Sequence, residues 1–292
     1  MAATRKRASL QLGALLELTK PRVSTLAVMT TAAGFYLASE GAINVALLLH
    51  VCFGALLAAG GTAVLNQVME RGADSKMRRT AGRPLPTGRV APPVATALGI
   101  GLIASGSLYL VLLVNPASAI LALLTAFLYL LLYTPLKKKT TLCTTIGAIP
   151  GAIPPLIGWV GTGRSLDLEA GVLFGILFLW QFPHFLSIAW VYKEDYQRGG
   201  FRMLPLADKD GHKTANRILS FNLALLVGSL LPTYVHSAGL IYFVSALLLG
   251  AYFLNSAWNL RMKRDRAAAH GLLKASVLYL PLLLVMMALD KQ

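Results

Sequence analysis

The chain has 292 residues, of which 56% are hydrophobic and 13% are charged, and its mean hydropathy is +0.63. A soluble domain carries about 25% charged residues, so this composition excludes a soluble globular protein and indicates a single membrane domain over residues 1–292. The net charge of +15 could indicate nucleic-acid binding. However, the basic residues lie in short segments between apolar spans, where membrane orientation explains them, and no nucleic-acid partner is expected.

Windows of about 20 apolar residues predict an all-α membrane protein with nine transmembrane helices. In chain order the predicted spans are 18–38, 43–69, 92–114, 117–135, 141–161, 170–192, 213–232, 237–257 and 271–289. Residues 1–17 precede the first span and are interpreted as a cytosolic tail. The connections 70–91 and 193–212 are longer than the topology requires, and both are interpreted as cytosolic active-site loops.

The distribution of Lys and Arg predicts the orientation of the chain. With nine spans, 25 of the 27 basic residues fall on one side of the membrane, in the tail, the connections or the helix ends there. Only Arg164 and Lys291 fall on the other side. Because basic loops stay in the cytosol, the N-terminus is predicted to be cytosolic and the C-terminus periplasmic. No Arg- and Ser-rich transit sequence is evident, which favours the bacterial inner (cytoplasmic) membrane and the lipid bilayer as surroundings.

The two long loops indicate a weak internal duplication. Each follows an even-numbered span, opens with acidic residues and continues with basic residues, glycine and proline; Glu70 and Asp195 are 125 residues apart, which is about four spans. Spans one to four and five to eight are therefore predicted to be two four-helix repeats, with the ninth helix added, around a central cavity open to the cytosolic side.

The fifth span contains Pro150, Pro154 and Pro155 within six residues. Proline removes a backbone donor and clashes with the preceding helical turn, so a break or kink is predicted there. The freed backbone groups are expected to face protein or a cavity and not lipid.

A column of oxygen-bearing side chains stands at the cytosolic end of the second span. Asn66, Glu70 and Asp74 are four residues apart, so they share one helix face at a spacing of about 6 Å. Carboxylates beside basic residues suit a hard divalent cation and a polyanion, which predicts a Mg²⁺ diphosphate site shared with Glu194 and Asp195. The alternative is that the acids only balance neighbouring cations in a hydrated loop; the intramembrane position of Asn66 favours the site.

Basic residues near the column are candidates for binding the diphosphate, although membrane orientation alone explains most of them. These candidates are Lys76, Arg78, Arg83, Lys137, Lys138 and Arg202.

The pattern Asn66-x-x-x-Glu70-x-x-x-Asp74 resembles the first motif of the UbiA-type intramembrane prenyltransferases, and Asp195 resembles the end of their second motif. Three stretches are similar to the protoheme IX farnesyltransferase (heme O synthase) family; they read LTKPRV at 18–23, YTPLKK at 133–138 and WQFPHF at 180–185. The sequence departs from the wider superfamily at three positions, which leaves the number of metal ions open. These positions are Gln67, Glu70 and Val191.

The resemblance implies transfer of the farnesyl group of farnesyl diphosphate to the 2-vinyl group of heme B. With water addition the products are heme O, used for terminal oxidase assembly, and diphosphate. It implies Mg²⁺ as cofactor, and heme A synthase or terminal oxidase assembly proteins as candidate partners. The residues given a catalytic role are Asn66, Glu70, Asp74 and Asp195, and Glu194 joins these four as a metal ligand.

Three residues are candidates for contact with heme or the prenyl group. Tyr133 and Trp180 offer aromatic faces that stabilise an allylic cation. For His184, in the sixth span, three interpretations remain open: ligation of heme iron, a hydrogen bond in the cavity, and packing.

Two alternative functions also remain open. The first is prenylation of a quinone precursor, chlorophyllide or another aromatic acceptor. The second is a heme carrier or ion-coupled transporter that uses Asn66 and His184 as a path. Because the polar residues gather at one membrane face, the sequence favours the enzyme.

Overall fold

The computed structural model describes residues 11–292, which form a bundle of nine long helices without a β-strand in that range. The helices are α1 Pro21–Ala38, α2 Val45–Asp74, α3 Pro92–Leu113, α4 Pro116–Leu136, α5 Cys143–Gly161, α6 Leu168–Val191, α7 His212–Tyr234, α8 Leu240–Lys263 and α9 Arg266–Leu289. This confirms the all-helical fold class, and each helix overlaps one predicted span.

Eight of these helices, α2 to α9, are long and apolar enough to cross a membrane. Helix α1 lies outside this group because Pro21, Arg22 and several Ser and Thr side chains lower the mean hydropathy of its 18 residues. The protein is therefore a multi-pass integral membrane protein.

The N-terminal region differs from the predicted tail. Residues 1–10 lie outside the described residues, whereas 11–18 form a helix. Ala14 and Leu18 of this helix are buried in one cluster with Val64 of α2 and with Leu85 and Val90 of the following loop. The second half of the predicted tail is thus a packed helix, because its apolar face covers the end of α2.

Helix α5 is broken at Ile153, between the segments Cys143–Ala152 and Pro154–Gly161, which confirms the break predicted from the three prolines. It is also the most buried of the eight apolar helices, with 72% of its apolar window buried. The backbone around the break therefore faces protein, as expected for groups that lipid cannot satisfy.

Glycines allow α1 and α5 to approach backbone to backbone. A Cβ atom on Gly34 of α1 would lie 1.9 Å from the Pro155 carbonyl oxygen, and one on Gly158 would lie 1.8 Å from the Thr31 carbonyl oxygen. Small residues of this kind let membrane helices pack closely. The contact fixes the position of α1, which begins beside the site described below.

The end of the chain closes the bundle at the C-terminal end of α1, opposite the end at which α1 begins. The Lys291 ammonium donates to the Tyr36 carbonyl oxygen at 2.9 Å and to that of Ser39. The backbone N–H of Tyr242 donates to the Asp290 carboxylate at 2.7 Å. The last helix is thereby joined to both α1 and α8. The internal duplication and the central cavity stay predictions.

Candidate active site

Helix α2 continues to Asp74, so Glu70 and Asp74 lie in its last turns and the first loop begins at residue 75. Asn66, Glu70 and Asp74 are 1%, 7% and 1% exposed. The three side chains, called the α2 column below, therefore face the protein interior. Glu70 and Asp74 therefore do not lie in a hydrated loop, because each side chain is withdrawn from water and bonded to protein.

Glu70 forms a buried ion pair with Lys137, the residue that follows α4. The Lys137 ammonium lies 2.8 Å from the Glu70 carboxylate, and the two side chains are 10% and 8% exposed. The same ammonium lies 4.3 Å from the centre of the Tyr133 ring, an arrangement typical of a cation–π contact. Lys138 is exposed, so the structure brings the first of the adjacent lysines to the column and not the second.

The last turn of α4 sets this geometry. Residues Leu128–Tyr133 form a π-helical segment, a rare feature that often occurs at functional sites. Thr134, which follows it, donates to the Tyr129 carbonyl oxygen at 2.9 Å and accepts from the Asn66 amide at 3.1 Å. The widened turn thus directs Tyr133, Thr134 and Lys137 towards the α2 column.

Asp74 is held by Arg83 from the loop that follows α2. One guanidinium nitrogen donates to both carboxylate oxygens, at 2.9 and 2.8 Å. The Thr80 hydroxyl also donates to the Asp74 carbonyl oxygen at 2.9 Å. The loop therefore folds back over the column and places a cation beside its last member.

Lys20 completes the cluster and was not among the predicted site residues. Its ammonium donates to the Asn66 side-chain oxygen at 3.0 Å. Burial, together with the nearby cations of Arg83 and Lys137, lowers the pKa of Lys20 to about 7. Lys20 also has a left-handed backbone, with φ +48°, a strain that tends to occur at functional sites. The sequence signal was present in LTKPRV, as a lysine directly before the proline that opens α1.

Gln67, which departs from the superfamily pattern, has a structural role. It is 2% exposed and its side-chain amide donates to the Leu18 carbonyl oxygen at 2.6 Å. This bond fastens the helix of residues 11–18 to α2, and with it the segment that carries Lys20.

Asp195 joins the loop after α2 to the segment after α6. It is 8% exposed and lies in the short helix Lys193–Arg198. Its carboxylate accepts the backbone N–H of Arg78 at 3.0 Å, that of Arg79 at 3.4 Å and the Arg198 guanidinium at 2.6 Å. Burial alone would raise the pKa of Asp195, but these hydrogen bonds hold it below its usual value.

The predicted five-residue metal set is brought together only in part. Glu194 is exposed and makes no ion pair with another described residue. Across residues 11–292, no three His, Cys, Asp or Glu side chains lie close enough to hold a metal ion. Glu70 and Asp74 instead bind Lys137 and Arg83, and Asp195 binds backbone amides. The full ligand set therefore stays a prediction.

The other predicted diphosphate contacts lie on the surface. Lys76, Arg78 and Arg202 are exposed. The backbone N–H of Arg202 donates to the Lys137 carbonyl oxygen at 2.7 Å, and its guanidinium donates to the Lys139 carbonyl oxygen at 3.2 Å. Arg202 thus supports the turn that presents Lys137, whereas Lys137 and Arg83 contact the column directly.

Helix α5 is contacted by Tyr133 from α4 and by Gln181 from α6. A Cβ atom on Gly147 of α5 would lie 2.5 Å from the Tyr133 ring. Gln181 of α6 donates to the Ala148 carbonyl oxygen at 2.9 Å. Its side-chain oxygen fills the space beside Gly151, 1.9 Å from where a Cβ atom would lie. Small residues of α5 therefore accept Tyr133 from α4 and Gln181 from α6.

Trp180 and His184 form a separate group against α9. Their rings are stacked, with centroids 4.6 Å apart. The Trp180 indole N–H donates to the Ser276 carbonyl oxygen at 2.9 Å, and His184 Nδ1 lies 2.8 Å from the Ser276 hydroxyl. Both predicted residues are thus fixed by a single position of α9.

The sequence pattern of the UbiA prenyltransferase family matches residues 27–279, which is most of the chain and includes the α2 column. The chain belongs to this family. As a family member it is a transferase of prenyl groups, and its buried column of amide and carboxylate oxygens lies at the end of the bundle where Lys20, Arg83 and Lys137 meet.

Relatives within the family are similar along nearly the whole chain. A protoheme IX farnesyltransferase of Solibacter usitatus is 47% identical over 94% of this chain and 98% of its own length. One of Koribacter versatilis is 46% identical over 94% of this chain and 92% of its own.

Solved structures show the same fold. A digeranylgeranylglyceryl phosphate synthase superposes with a TM-score of 0.81 at 18% identity, covering 96% of this chain and 98% of that one. A UbiA homologue of Archaeoglobus fulgidus bound to DMAPP and Mg²⁺ superposes with a TM-score of 0.69 at 14% identity, covering 94% and 98%. At these identities the likeness concerns the fold alone.

Replacing Asp195 with asparagine is expected to loosen the loop after α2, because the Arg78 and Arg79 amides lose a charged acceptor. Tryptic cleavage at these two arginines should become several-fold faster, as measured by mass spectrometry of the fragments. Asp210, exposed in the same segment after α6, provides the control, and D210N should be cleaved like the wild type. Equal cleavage of D195N and the wild type would show that Asp195 does not hold the loop.

Proposed function

We propose that the chain transfers the farnesyl group of farnesyl diphosphate to the 2-vinyl group of heme B. With water addition the product is heme O, and diphosphate is released. The observation that carries the proposal is the buried α2 column, whose carboxylates are each paired with a cation from another segment. The relatives named protoheme IX farnesyltransferase support the choice of donor and acceptor.

The α2 column and its cations suit a metal-bound diphosphate. Asn66, Glu70 and Asp74 offer hard oxygen ligands, and Glu194 and Asp195 are the proposed second part of the set. Bound there, Mg²⁺ would supply positive charge that stabilises the leaving diphosphate. Lys137 and Arg83 already lie beside the carboxylates and can donate charge-assisted hydrogen bonds to phosphate oxygens. Lys20 adds a third cation at the same place.

The reaction separates charge, and the residues around the column match that need. When the bond between the farnesyl carbon and oxygen breaks, diphosphate leaves and an allylic cation remains. The face of Tyr133, which already contacts the Lys137 ammonium, can stabilise that cation, and burial keeps water from it. The vinyl carbon then forms the new carbon–carbon bond, and water adds to the porphyrin-side cation and loses a proton.

The acceptor is proposed to lie near Trp180 and His184. Their stacked rings give an aromatic surface and an imidazole within the membrane-spanning α6. Imidazole is a common ligand of heme iron, and a polar side chain in a membrane helix usually has a function. If the residue only filled space, an apolar side chain would serve equally well at this position.

The proposed location is the bacterial inner membrane, with the N-terminus cytosolic and the C-terminus periplasmic. The basic residues support this orientation, because within the described range 11–292 all of them except Arg164 and Lys291 lie at the end of the bundle that holds the column. The column would then face the cytosol, where farnesyl diphosphate is supplied. Heme A synthase and terminal oxidase assembly proteins stay predicted partners.

The proposal is tested by offering farnesyl diphosphate to the purified protein with heme B, a quinone precursor or chlorophyllide in turn. Mass spectrometry is expected to find one product, heme B enlarged by a farnesyl group and a hydroxyl group, formed only when Mg²⁺ is present. Detection of a prenylated quinone precursor or chlorophyllide would show instead that the enzyme uses another acceptor. Movement of heme across vesicle membranes without any prenylated product would show that the protein is a heme carrier.

A further inference from the structure

The imidazole of His184 and the hydroxyl of Ser276 share one hydrogen bond, and the second hydrogen bond of the hydroxyl favours one direction for it. His184 Nδ1 and Ser276 Oγ are 2.8 Å apart. The Ser276 hydroxyl also donates to the Leu273 carbonyl oxygen at 2.7 Å. A hydroxyl has one proton and a carbonyl oxygen has none. With the Ser276 proton directed to Leu273, the serine oxygen is left to accept from His184, and this geometry favours a proton on Nδ1.

This direction fixes the state of the ring. A neutral imidazole carries one proton, so protonation of Nδ1 leaves the lone pair on Nε2. His184 forms no ion pair with a carboxylate among the described residues, and an unpaired charge is costly inside a membrane protein. The surroundings therefore stabilise the neutral ring in which Nε2 is unprotonated.

Burial and hydrogen bonds hold Ser276 beside the imidazole. It is fully buried in α9, which packs against α6. Its carbonyl oxygen binds the Trp180 indole at 2.9 Å, and the Trp180 ring stacks on the imidazole. One residue thereby fixes both the ring plane and the proton position of His184.

We propose that Ser276 is a positioning residue for the heme acceptor: by holding the proton on His184 Nδ1, it keeps the Nε2 lone pair available to the heme iron. Metal-bound histidines commonly donate their other ring N–H to such a partner, which sets the ring orientation and strengthens the ligand. This inference rests on the proposed function, since heme B is its ligand.

The first measurement needs no heme. In ¹⁵N-histidine-labelled protein, the His184 signals are assigned by their loss in H184Q, and the nitrogen shifts show which ring nitrogen is protonated. We expect an Nδ1-protonated ring in the wild type and a mixture of both forms in S276A. An Nε2-protonated or doubly protonated wild-type ring would overturn the proposal, whether or not heme B proves to be the substrate.

The second measurement is a titration of the purified full chain with heme B, followed by its absorption spectrum. Loss of the partner hydroxyl in S276A should weaken binding about tenfold and change the iron-ligand bands. S276T keeps a hydroxyl and should restore both. The control is S187A, because the Ser187 hydroxyl donates to the His184 backbone oxygen at 2.7 Å and leaves the ring untouched.

The outcomes separate this inference from the proposed function. Wild-type affinity and spectrum in S276A would overturn the role of Ser276, even with normal heme O formation. If instead S276A, S276T and S187A all weakened binding equally, the effect would be general packing, which also overturns it. A wild-type protein that neither binds nor farnesylates heme B would contradict the proposed function, and the labelled histidine would still report the proton position.

Discussion

Replacing Glu70 with glutamine is expected to lower farnesyl transfer about a thousandfold, the scale seen when a charge-stabilising group is removed from an active site. Glutamine keeps the shape of the side chain but removes its negative charge. Lys137 would then be a buried cation without its partner, and the proposed metal would lose a ligand. The measurement is the rate of heme O formation from heme B and farnesyl diphosphate by liquid chromatography.

The matched control for E70Q is E17Q. Glu17 also forms an ion pair at the same end of the bundle, with Arg89 at 2.8 Å, but both side chains are 46% exposed. Exposed pairs contribute little, so E17Q should retain its activity, and circular dichroism should show that both variants are folded. D74N should behave like E70Q, because Asp74 is buried with Arg83. Full activity in E70Q and D74N would contradict the proposal that the α2 column binds the diphosphate.

Replacing Gly158 with alanine is expected to be the most destabilising single methyl addition in α5. The new Cβ atom would lie 1.8 Å from the Thr31 carbonyl oxygen and 2.7 Å from the Phe35 nitrogen. Both are backbone atoms of α1, so no side chain can rotate away and the two helices must separate. Overpacking of this kind costs about 1–3 kcal/mol or more, which should appear as a lower melting temperature in detergent.

The control for this steric effect is G171A in α6, where an added Cβ atom meets nothing within 4 Å. Alanine favours a helix over glycine by about 1 kcal/mol, so G171A should melt at or above the wild-type temperature. Lys20 directly precedes α1, so a shift of α1 also displaces Lys20 from Asn66. The fractional loss of activity in G158A should therefore exceed the fraction of protein that unfolds. If both variants melted like the wild type, the close α1–α5 contact would be wrong.

Patterns within a single helix were predictable from the sequence. The four-residue spacing placed Asn66, Glu70 and Asp74 on one face, because helical geometry determines that relation without reference to other helices. The prolines predicted the break at Ile153 because their effect on the backbone is local. Eight of the nine predicted spans, α2 to α9, followed from apolar length for the same reason.

Partners from distant segments were not predictable in this way. The sequence showed three adjacent lysines, but the π-helical turn of α4 selects Lys137 for Glu70. Lys20 contacts Asn66 across 46 positions, a relation that depends on how the start of α1 packs on α2. Sequence spacing also could not separate buried Asp195 from exposed Glu194, since adjacent residues of a short helix face different ways.

The most direct test of the α2 column is the binding of farnesyl S-thiolodiphosphate, an unreactive analogue, measured by isothermal titration calorimetry. We expect binding by the wild type and E17Q in the presence of Mg²⁺, and loss of binding when the metal is chelated or when E70Q is used. Equal affinity with and without Mg²⁺, or in the wild type and E70Q, would contradict the assignment of the column as a metal-dependent diphosphate site.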